Sequence, residues 1–296
     1  MKRERWMWTV AAGVALSGCS DSTSSVPLVI PSFVVVGDTG GNSQLYRVQD
    51  GVETRLSTTT GNDFDPMSAA SRIVFATDRD GNAEVYIEDT SATVSRRVTN
   101  SSAADAQPAL SPDGSTIIFV SNRSGAPRLW SVPAPALDAT AFAAPTALVT
   151  GSATEIPEGA PAWSPDGTTL AFSSARSGTS QIFTMPTAGG SAVELTTEAG
   201  GAFNPVWSGD GHTIYYLSGA GAVHLRRIKS SGGSATDFES DSLDLDAVSC
   251  NTTVCIAAEN PAGERGSILA FPAKGGKGQV AIARTHHERQ AAILVP

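Results

Sequence analysis

The stretch AWSPDGTTLAF (residues 162–172) places a tight polar turn between a tryptophan and an alternating apolar run. Proline presets the φ angle at the first central position of a β-turn, and Asp and Gly suit the positions after it. We therefore predict a hairpin with Asp166 at its corner. Asp113 and Asp210 occupy the equivalent place in two similar stretches, and a catalytic carboxylate is seldom needed three times.

The turn belongs to an internal repeat. Three segments superpose, and their first residues are Pro108, Pro161 and Pro205. Two earlier segments, VVGDTGGNSQLY (35–46) and FATDRDGNAEVY (75–86), match each other at a constant offset, and a divergent sixth copy runs from about Val248. A repeat of this length is the signature of a solenoid, a propeller or an array.

Each copy contains alternating or β-branched runs separated by turns rich in Asp, Gly, Asn or Ser, which predicts four short antiparallel strands. That is the content of one propeller blade. A β-sandwich is the alternative, but its strands would not share a repeated turn sequence. We predict an all-β fold, a six-bladed β-propeller of four-stranded antiparallel blades. The first copy lacks a leading strand, so residues 291–295 are expected to supply it and close the ring.

The repeat resembles a known family. Ser111-Pro112-Asp113-Gly114, Ser164-Pro165-Asp166-Gly167 and the second turn at residues 78–82 are similar to the Pro-Asp-Gly repeats of the periplasmic protein TolB and of prolyl oligopeptidase propeller domains. The resemblance covers residues 33–285 and implies a TolB-like architecture. The sequence has no Gly-x-Ser-x-Gly motif and no α/β segment of hydrolase size, so the resemblance to the oligopeptidases stops at the propeller.

The amino terminus has the pattern of an export signal. A basic head precedes a short apolar run, and Leu16-Ser17-Gly18-Cys19 resembles the lipobox of bacterial lipoproteins. We expect a signal peptide at 1–18, a lipidated tether from Cys19 at 19–32 and a propeller at 33–296. Ser20 after the cysteine favours the outer membrane, facing the periplasm. An ordinary secretory signal is the alternative.

Charge narrows the class of partner. Removing residues 1–18 would leave 17 basic and 28 acidic residues, a net charge of −11. An acidic surface argues against nucleic acid or anionic lipid as a partner. No nucleotide, haem or flavin motif is present, so no cofactor is expected. The expected partner is an envelope protein, or a peptide or glycan ligand, with membrane contact through the lipid alone.

Charged residues recur at equivalent places of the copies, in loops expected on one face of the ring. Acids stand three residues before leading prolines, and arginines stand in the turns between second and third strands. With further polar residues of the rim they form a candidate binding face: Asp63, Asp65, Arg79, Asp105, Arg123, Glu158, Arg176, His286 and His287. The alternative interpretation is an ordinary solvated loop surface.

Metal binding is not expected. Residues 78–84 place oxygen atoms at alternate positions, but the twelve-residue calcium pattern is incomplete, and His286 and His287 lack a third ligand at a useful spacing. Cys250 and Cys255 flank the predicted first turn of the sixth copy. In an oxidising compartment they could form a disulfide across that hairpin, and free buried thiols are the alternative.

The leading functional hypothesis is a non-enzymatic, lipid-anchored scaffold that binds another molecule in the cell envelope. A propeller enzyme acting on a polysaccharide, as a lyase or glycosidase, is the alternative, because fold alone does not exclude it. Its acids and histidines would be Asp63, Asp105, Glu158, His286 and His287. A structural propeller within a larger envelope complex is a third possibility.

Overall fold

A computed structural model of the chain describes residues 31–38, 41–57, 60–91, 94–148, 156–220, 223–238, 245–250, 254–259, 267–272, 279–283 and 288–293. Within these ranges every regular element is a β-strand, and no helix is long and apolar enough to cross a membrane. The strands are β1 (Phe33–Asp38), β2 (Ser43–Gln49), β3 (Val52–Arg55), β4 (Asp63–Ala69), β5 (Arg72–Thr77), β6 (Glu84–Asp89), β7 (Ser95–Arg97), β8 (Asp105–Leu110), β9 (Thr116–Ser121), β10 (Arg128–Pro133), β11 (Thr146–Ala147), β12 (Glu158–Trp163), β13 (Thr169–Ser174), β14 (Gln181–Pro186), β15 (Val193–Glu194), β16 (Ala202–Trp207), β17 (Thr213–Ser218), β18 (His224–Lys229), β19 (Thr236–Asp237), β20 (Leu245–Cys250), β21 (Val254–Glu259), β22 (Ser267–Pro272), β23 (Gln279–Ala283) and β24 (Glu288–Ile293).

The strands form six four-stranded antiparallel sheets, which are the blades of a propeller. Blade 1 has the order β24-β1-β2-β3, and blades 2 to 6 each take four consecutive strands, from β4–β7 to β20–β23. The innermost strands β4, β8, β12, β16, β20 and β24 contact one another in sequence around the ring. The predicted six-bladed all-β propeller is therefore confirmed.

The carboxyl-terminal strand closes the ring. β24 pairs antiparallel with β1, and the register runs from Phe33 opposite Ile293 to Gly37 opposite Glu288. The predicted bounds of this strand, 291–295, were wrong at its start, because the prediction followed the apolar run and left out the polar residues before it. The strand begins at Glu288, and 294–296 lie outside the described residues.

The core lies in the seams between neighbouring blades, because alternate side chains of each strand point to opposite faces of its sheet. Val85 and Ile87 of β6 pack with Ile117 and Phe119 of β9 in the seam between blades 2 and 3. The outermost strands are short, and β11, β15 and β19 have two residues each. Strands this short leave little sheet edge open to a foreign strand.

The Pro-Asp-Gly turns form the hairpin corners that the sequence predicts. The Ser164 hydroxyl donates to Asp166 Oδ1 at 2.6 Å, and the Thr168 amide donates to the same oxygen at 3.0 Å. These hydrogen bonds hold the pKa of Asp166 below its usual value. Gly167 has a φ of +71°, a left-handed conformation that glycine adopts without steric cost. Asp166 is a structural turn residue.

Four innermost strands share an irregularity at their third residue. Asp65, Gln107, Ala160 and Asn204 have φ angles between 46° and 51°, and each precedes the leading proline of its copy. The register of the strand pair shifts at the same point, which is a β-bulge. The bulge turns these half-buried residues away from the regular alternation of the strand.

Tryptophan joins neighbouring blades at the opposite end of the innermost strands. Trp163 Nε1 donates to the carbonyl of Ala109 at 3.0 Å, and Trp207 Nε1 donates to the carbonyl of Ala162 at 3.1 Å. Each bond runs from one blade to the blade before it. Trp163 and Trp207, each at the start of a Trp-Ser-x-Asp-Gly stretch, therefore link neighbouring blades by hydrogen bonds.

Candidate functional site

The turns between second and third strands lie on the same side of the ring as the starts of the innermost strands. We call this side the arginine face and the side of the Pro-Asp-Gly turns the Asp-Gly face. A Cβ on Gly61, in the segment before β4, would lie 2.5 Å from the backbone of Arg79. The segment that enters blade 2 and the turn that carries the arginine therefore pack backbone to backbone, which explains the need for glycine there.

Three arginines of this face pair with the three predicted acids, one pair in each of blades 2, 3 and 4. Arg79 Nη2 lies 3.0 Å from Asp63 Oδ1. Arg123 Nη2 lies 2.7 Å from Asp105 Oδ2, and Arg176 Nη2 lies 2.7 Å from Glu158 Oε1. The structure brings together these six residues of the predicted face as three ion pairs within blades.

Aromatic rings support each guanidinium from below. The Arg79 guanidinium carbon lies 4.5 Å from the ring centroid of Tyr86, that of Arg123 lies 4.9 Å from Trp130, and that of Arg176 lies 4.6 Å from Phe183. Cation–π contact adds to the ion pair and fixes the plane of the guanidinium. The arginines are consequently held in one orientation in three successive blades.

The acids are buried, and their charge is used inside the protein. Asp63 and Asp105 have no exposed surface, and Glu158 is 3% exposed. Glu158 receives a second arginine, since Arg128 Nε lies 3.1 Å from its other oxygen. Burial lowers the pKa of Arg176, and the negative charge of Glu158 opposes that effect. The ion pairs fix the framework of the arginine face and leave its carboxylates closed to solvent.

Asp65, also predicted on the face, is half-buried and lies on the bulge of β4. Its Oδ2 accepts a hydrogen bond from the Gln107 amide of blade 3 at 3.1 Å. The Gln107 side chain in turn accepts one from the Ala160 amide of blade 4 at 2.8 Å. These bonds run from blade to blade along the innermost strands, so Asp65 begins a chain of inter-blade contacts.

Blade 5 builds a similar cluster from different positions. Ala202 stands where blades 2 to 4 have the acid, and Arg226 of β18 stands where they have the aromatic ring. Arg226 pairs with Glu198, which lies before β16, and the Tyr216 hydroxyl donates to Glu198 at 2.6 Å. Burial, followed by this hydrogen bond, raises the pKa of Tyr216. The residues that form the arginine face in blade 5 therefore differ from those in blades 2 to 4.

Small polar residues form the exposed part of the face. The turns of blades 3 and 4 expose Ser124, Gly125, Ser177 and Gly178 beside the paired arginines. The Ser177 hydroxyl donates to Glu194 of β15 at 2.5 Å, and Glu194 is itself exposed, so one acid lies at the surface while the paired arginines lie beneath it. The exposed hydroxyl groups of these turns suit hydrogen bonding to a peptide or a hydroxylated ligand.

The carboxylates of residues 78–84 are committed to hydrogen bonds and ion pairs within the protein. Asp78 accepts two hydrogen bonds from Asn62, Asp80 pairs with Arg97, and Glu84 pairs with Arg97 and accepts from Thr99. In the portion of the chain that the structure describes, no three His, Cys, Asp or Glu side chains converge as metal ligands.

Three predicted residues lie outside the described part of the chain: Cys19, His286 and His287. Cys250 and Cys255 form a disulfide in the structure, with Cα atoms 4.0 Å apart. They stand opposite each other on β20 and β21, so the bond fastens the first hairpin of blade 6.

Sequence reasoning missed the hydroxyl that positions each arginine. Arg79 Nε donates to Thr77 Oγ1 at 3.2 Å, and Arg123 Nε donates to Ser121 Oγ at 2.8 Å. Arg176 makes the same contact with Ser174 at 3.1 Å. The signal was a hydroxyl residue two positions before each arginine, repeated in three copies. Arg128 carried no comparable signal, because its position differs in the other copies.

Comparison with protein families finds a match to the model described as "TolB beta propeller domain". The match covers residues 64–147 and 143–292, which is more than half of the chain.

Among curated proteins, the chain is 34% identical over 152 residues to a protein TolB homolog of Chlorobium chlorochromatii, covering 50% of this chain and 31% of that protein. It is 51% identical over 55 residues to the uncharacterised peptidase YuxL of Bacillus subtilis, covering 18% of this chain and 8% of that one. The chain thus spans less than a third of the length of these relatives. Among solved structures, TolB from Acinetobacter baumannii superposes with a TM-score of 0.75 at 19% identity, covering 88% of this chain and 66% of that one.

Proposed function

The chain belongs to the TolB β-propeller domain family, and we propose that it is a lipid-anchored, non-catalytic scaffold of the cell envelope. Its arginine face would dock an envelope protein, or a peptide or glycan ligand. The family match supports the architecture of such a scaffold. The docking role, the anchor and the location at the outer membrane, facing the periplasm, are our proposal.

The observation that carries the docking role is the repeated fixation of three neighbouring turns. Arg79, Arg123 and Arg176 each bind a buried acid of their own blade and lie on an aromatic ring. Turns fixed in this way lose little conformational entropy when a partner binds, which favours affinity. Their exposed tips stand side by side on one face, as a docking surface requires.

The same pairs count against the polysaccharide enzyme. A glycosidase needs two carboxyl groups about 5–10 Å apart that face the substrate. Asp63, Asp105 and Glu158 are buried, and an arginine holds each of them. This geometry favours the scaffold, because the acids are committed to the framework.

The anchor is proposed from the amino-terminal sequence. A tether of residues 19–32 reaches at most about 50 Å when fully extended, enough to hold the ring clear of the bilayer surface. Growth with radiolabelled palmitate tests this directly. We expect label in the protein and none in Cys19→Ala, whereas equal labelling of both would remove the anchor from the proposal.

Site-specific crosslinking tests the docking role. A photoreactive amino acid at Ser124 or Ser177 samples the arginine face, and one at His212 samples the Asp-Gly face as the matched control, since all three residues are exposed. We expect a discrete adduct in envelope membranes from the first two positions. The same adducts from His212, or none from any position, would contradict docking on this face.

A further inference from the structure

Glu88 stands at a position that the other described blades fill with apolar side chains. It is the residue of β6 that corresponds to Val48 in blade 1, Val132 in blade 3, Met185 in blade 4 and Ile228 in blade 5. All five side chains are buried, and Glu88 is 3% exposed. A carboxyl group therefore occupies a core position of the repeat.

The position lies in the seam between blades 1 and 2. Glu88 is opposite Ile73 in the strand pair and two residues from Tyr86, so the three side chains share one face of blade 2. Ile73 and Tyr86 pack against Val34 and Leu45 of blade 1. Glu88 Oε1 has no hydrogen-bond partner among the residues that the structure describes.

The charges around this carboxyl do not balance. Asp63 of β4 and Arg79 of the turn between β5 and β6 act on Glu88 from blade 2, and Asp89 is its chain neighbour. Arg47 of blade 1 faces the same seam, where its guanidinium donates to the carbonyl of Thr90 at 3.0 Å. Arg79 is already paired with Asp63, whose second oxygen also has no partner in the described part of the chain.

An ionised carboxylate in this apolar seam would lose its hydration while its Oε1 gains no hydrogen-bond partner among the described residues. Burial and, after it, the charge of Asp63 raise the pKa of Glu88 to about 7, against the opposing charge of Arg79. The raised pKa means that the folded ring holds a proton that the unfolded chain releases. The protonated carboxyl therefore gives its full contribution to the stability of the fold below the pKa of the unfolded chain. That contribution is lost as the pH rises towards the folded pKa.

We propose that Glu88 is a proton-controlled latch, which keeps the seam between blades 1 and 2 closed while its carboxyl is protonated and loosens that seam when it ionises. Blade 1 is also the blade that β24 closes, so this seam adjoins the join of the ring. The latch is independent of the docking role proposed above.

Hydrogen–deuterium exchange of the full-length protein at pH 5.5 and pH 8 tests the latch, after correction for the intrinsic effect of pH on exchange. In the wild type, the opening constant of amides in β1, β2, β5 and β6 should rise about thirtyfold over this interval. Strands β9, β10 and β13, at the seam between blades 3 and 4, provide an internal reference that should stay unchanged. Glu88→Met, which takes the blade 4 residue, and Glu88→Gln should abolish the rise, and Glu53→Gln on exposed β3 should retain it.

Three results would overturn the latch. They are an equal rise in either Glu88 variant, an equal rise at the reference seam, or no rise in the wild type. The glutamine variant keeps the shape of the side chain, so the test stands even if the methionine variant does not fold.

Discussion

Arg128 of blade 3 forms an ion pair with Glu158 of blade 4, with 3.1 Å between Nε and Oε2. Glu158 also binds Arg176 of its own blade through its other oxygen. One buried glutamate thus joins two blades and holds two guanidinium groups, whereas Asp105 holds one. We therefore expect the ion pairs of the arginine face to contribute most to the stability of the ring where blades 3 and 4 meet.

Replacing Glu158 by Ala should destabilise the protein by about 3–5 kcal/mol, because it removes the buried carboxylate that binds both the buried Arg128 and the half-buried Arg176. Asp105→Ala should cost less, since it strands one arginine. Urea unfolding at pH 7 measures both. Glu53→Ala on the exposed strand β3 is the control, and a Glu158 variant no less stable than this control would show that the pair does not hold the blades.

Replacing Ala160 by Asn should stabilise the ring by about 0.5–1 kcal/mol. Ala160 has a φ of 46°, a left-handed conformation that costs alanine more than asparagine. Asn204 has the same conformation at the equivalent position, so Asn204→Ala should shift the midpoint the opposite way. Thermal unfolding of both variants provides the measurement. Shifts of the same sign in the two variants would argue against backbone strain as the cause.

Replacing Trp207 by Phe should cost about 1–2 kcal/mol, since it removes the hydrogen bond to the Ala162 carbonyl of the previous blade. Trp130 is the comparison, because its Nε1 makes no hydrogen bond within the described residues and a phenylalanine, as at Phe183 in blade 4, would still lie beneath the arginine. Trp130→Phe should therefore cost less in the same urea titration. Equal losses would mean that ring volume, and not the inter-blade hydrogen bond, sets the effect.

Asp166→Asn should show how the contribution of this turn to thermal stability depends on pH. The hydrogen bond from Ser164 and those from Thr168 lower the pKa of Asp166 in the fold, so its charge stabilises the turn above the ordinary carboxyl pKa. That contribution is lost as pH falls through the folded pKa. The gap in Tm between wild type and variant should be constant at neutral pH and close only below pH 3.8. A gap that closes between pH 5 and 7 would contradict this origin, and Asp138→Asn in an exposed loop controls for net charge.

Much of the fold could be predicted from the sequence because the same turn and strand pattern recurs in each copy of the repeat. Pro165-Asp166-Gly167 reports a turn through local backbone chemistry, which does not depend on distant residues. Closure by the carboxyl-terminal strand followed from counting strands. Its start did not, because Glu288 enters the strand through pairing with Gly37, and no local apolar pattern marks that residue.

The site was predicted only in part. The spacing of Asp63, Asp105 and Glu158 from the prolines placed them with the arginines on one face. It did not reveal that the acids are buried or that the third strands bring an aromatic ring beneath each arginine, because both depend on packing between strands. The sequence around Glu88 also did not predict that this residue is buried. Its burial becomes apparent only by comparison with the apolar residues at the equivalent positions of other blades.

Docking on the arginine face is the central claim, and blocking each face in turn tests it most directly. Ser124→Trp places a bulky ring on the arginine face without touching an ion pair, and His212→Trp does so on the Asp-Gly face. The partner recovered with the wild-type protein from envelope membranes should be lost from Ser124→Trp and retained by His212→Trp. Retention by both variants, loss from both, or no partner with the wild type would contradict the claim.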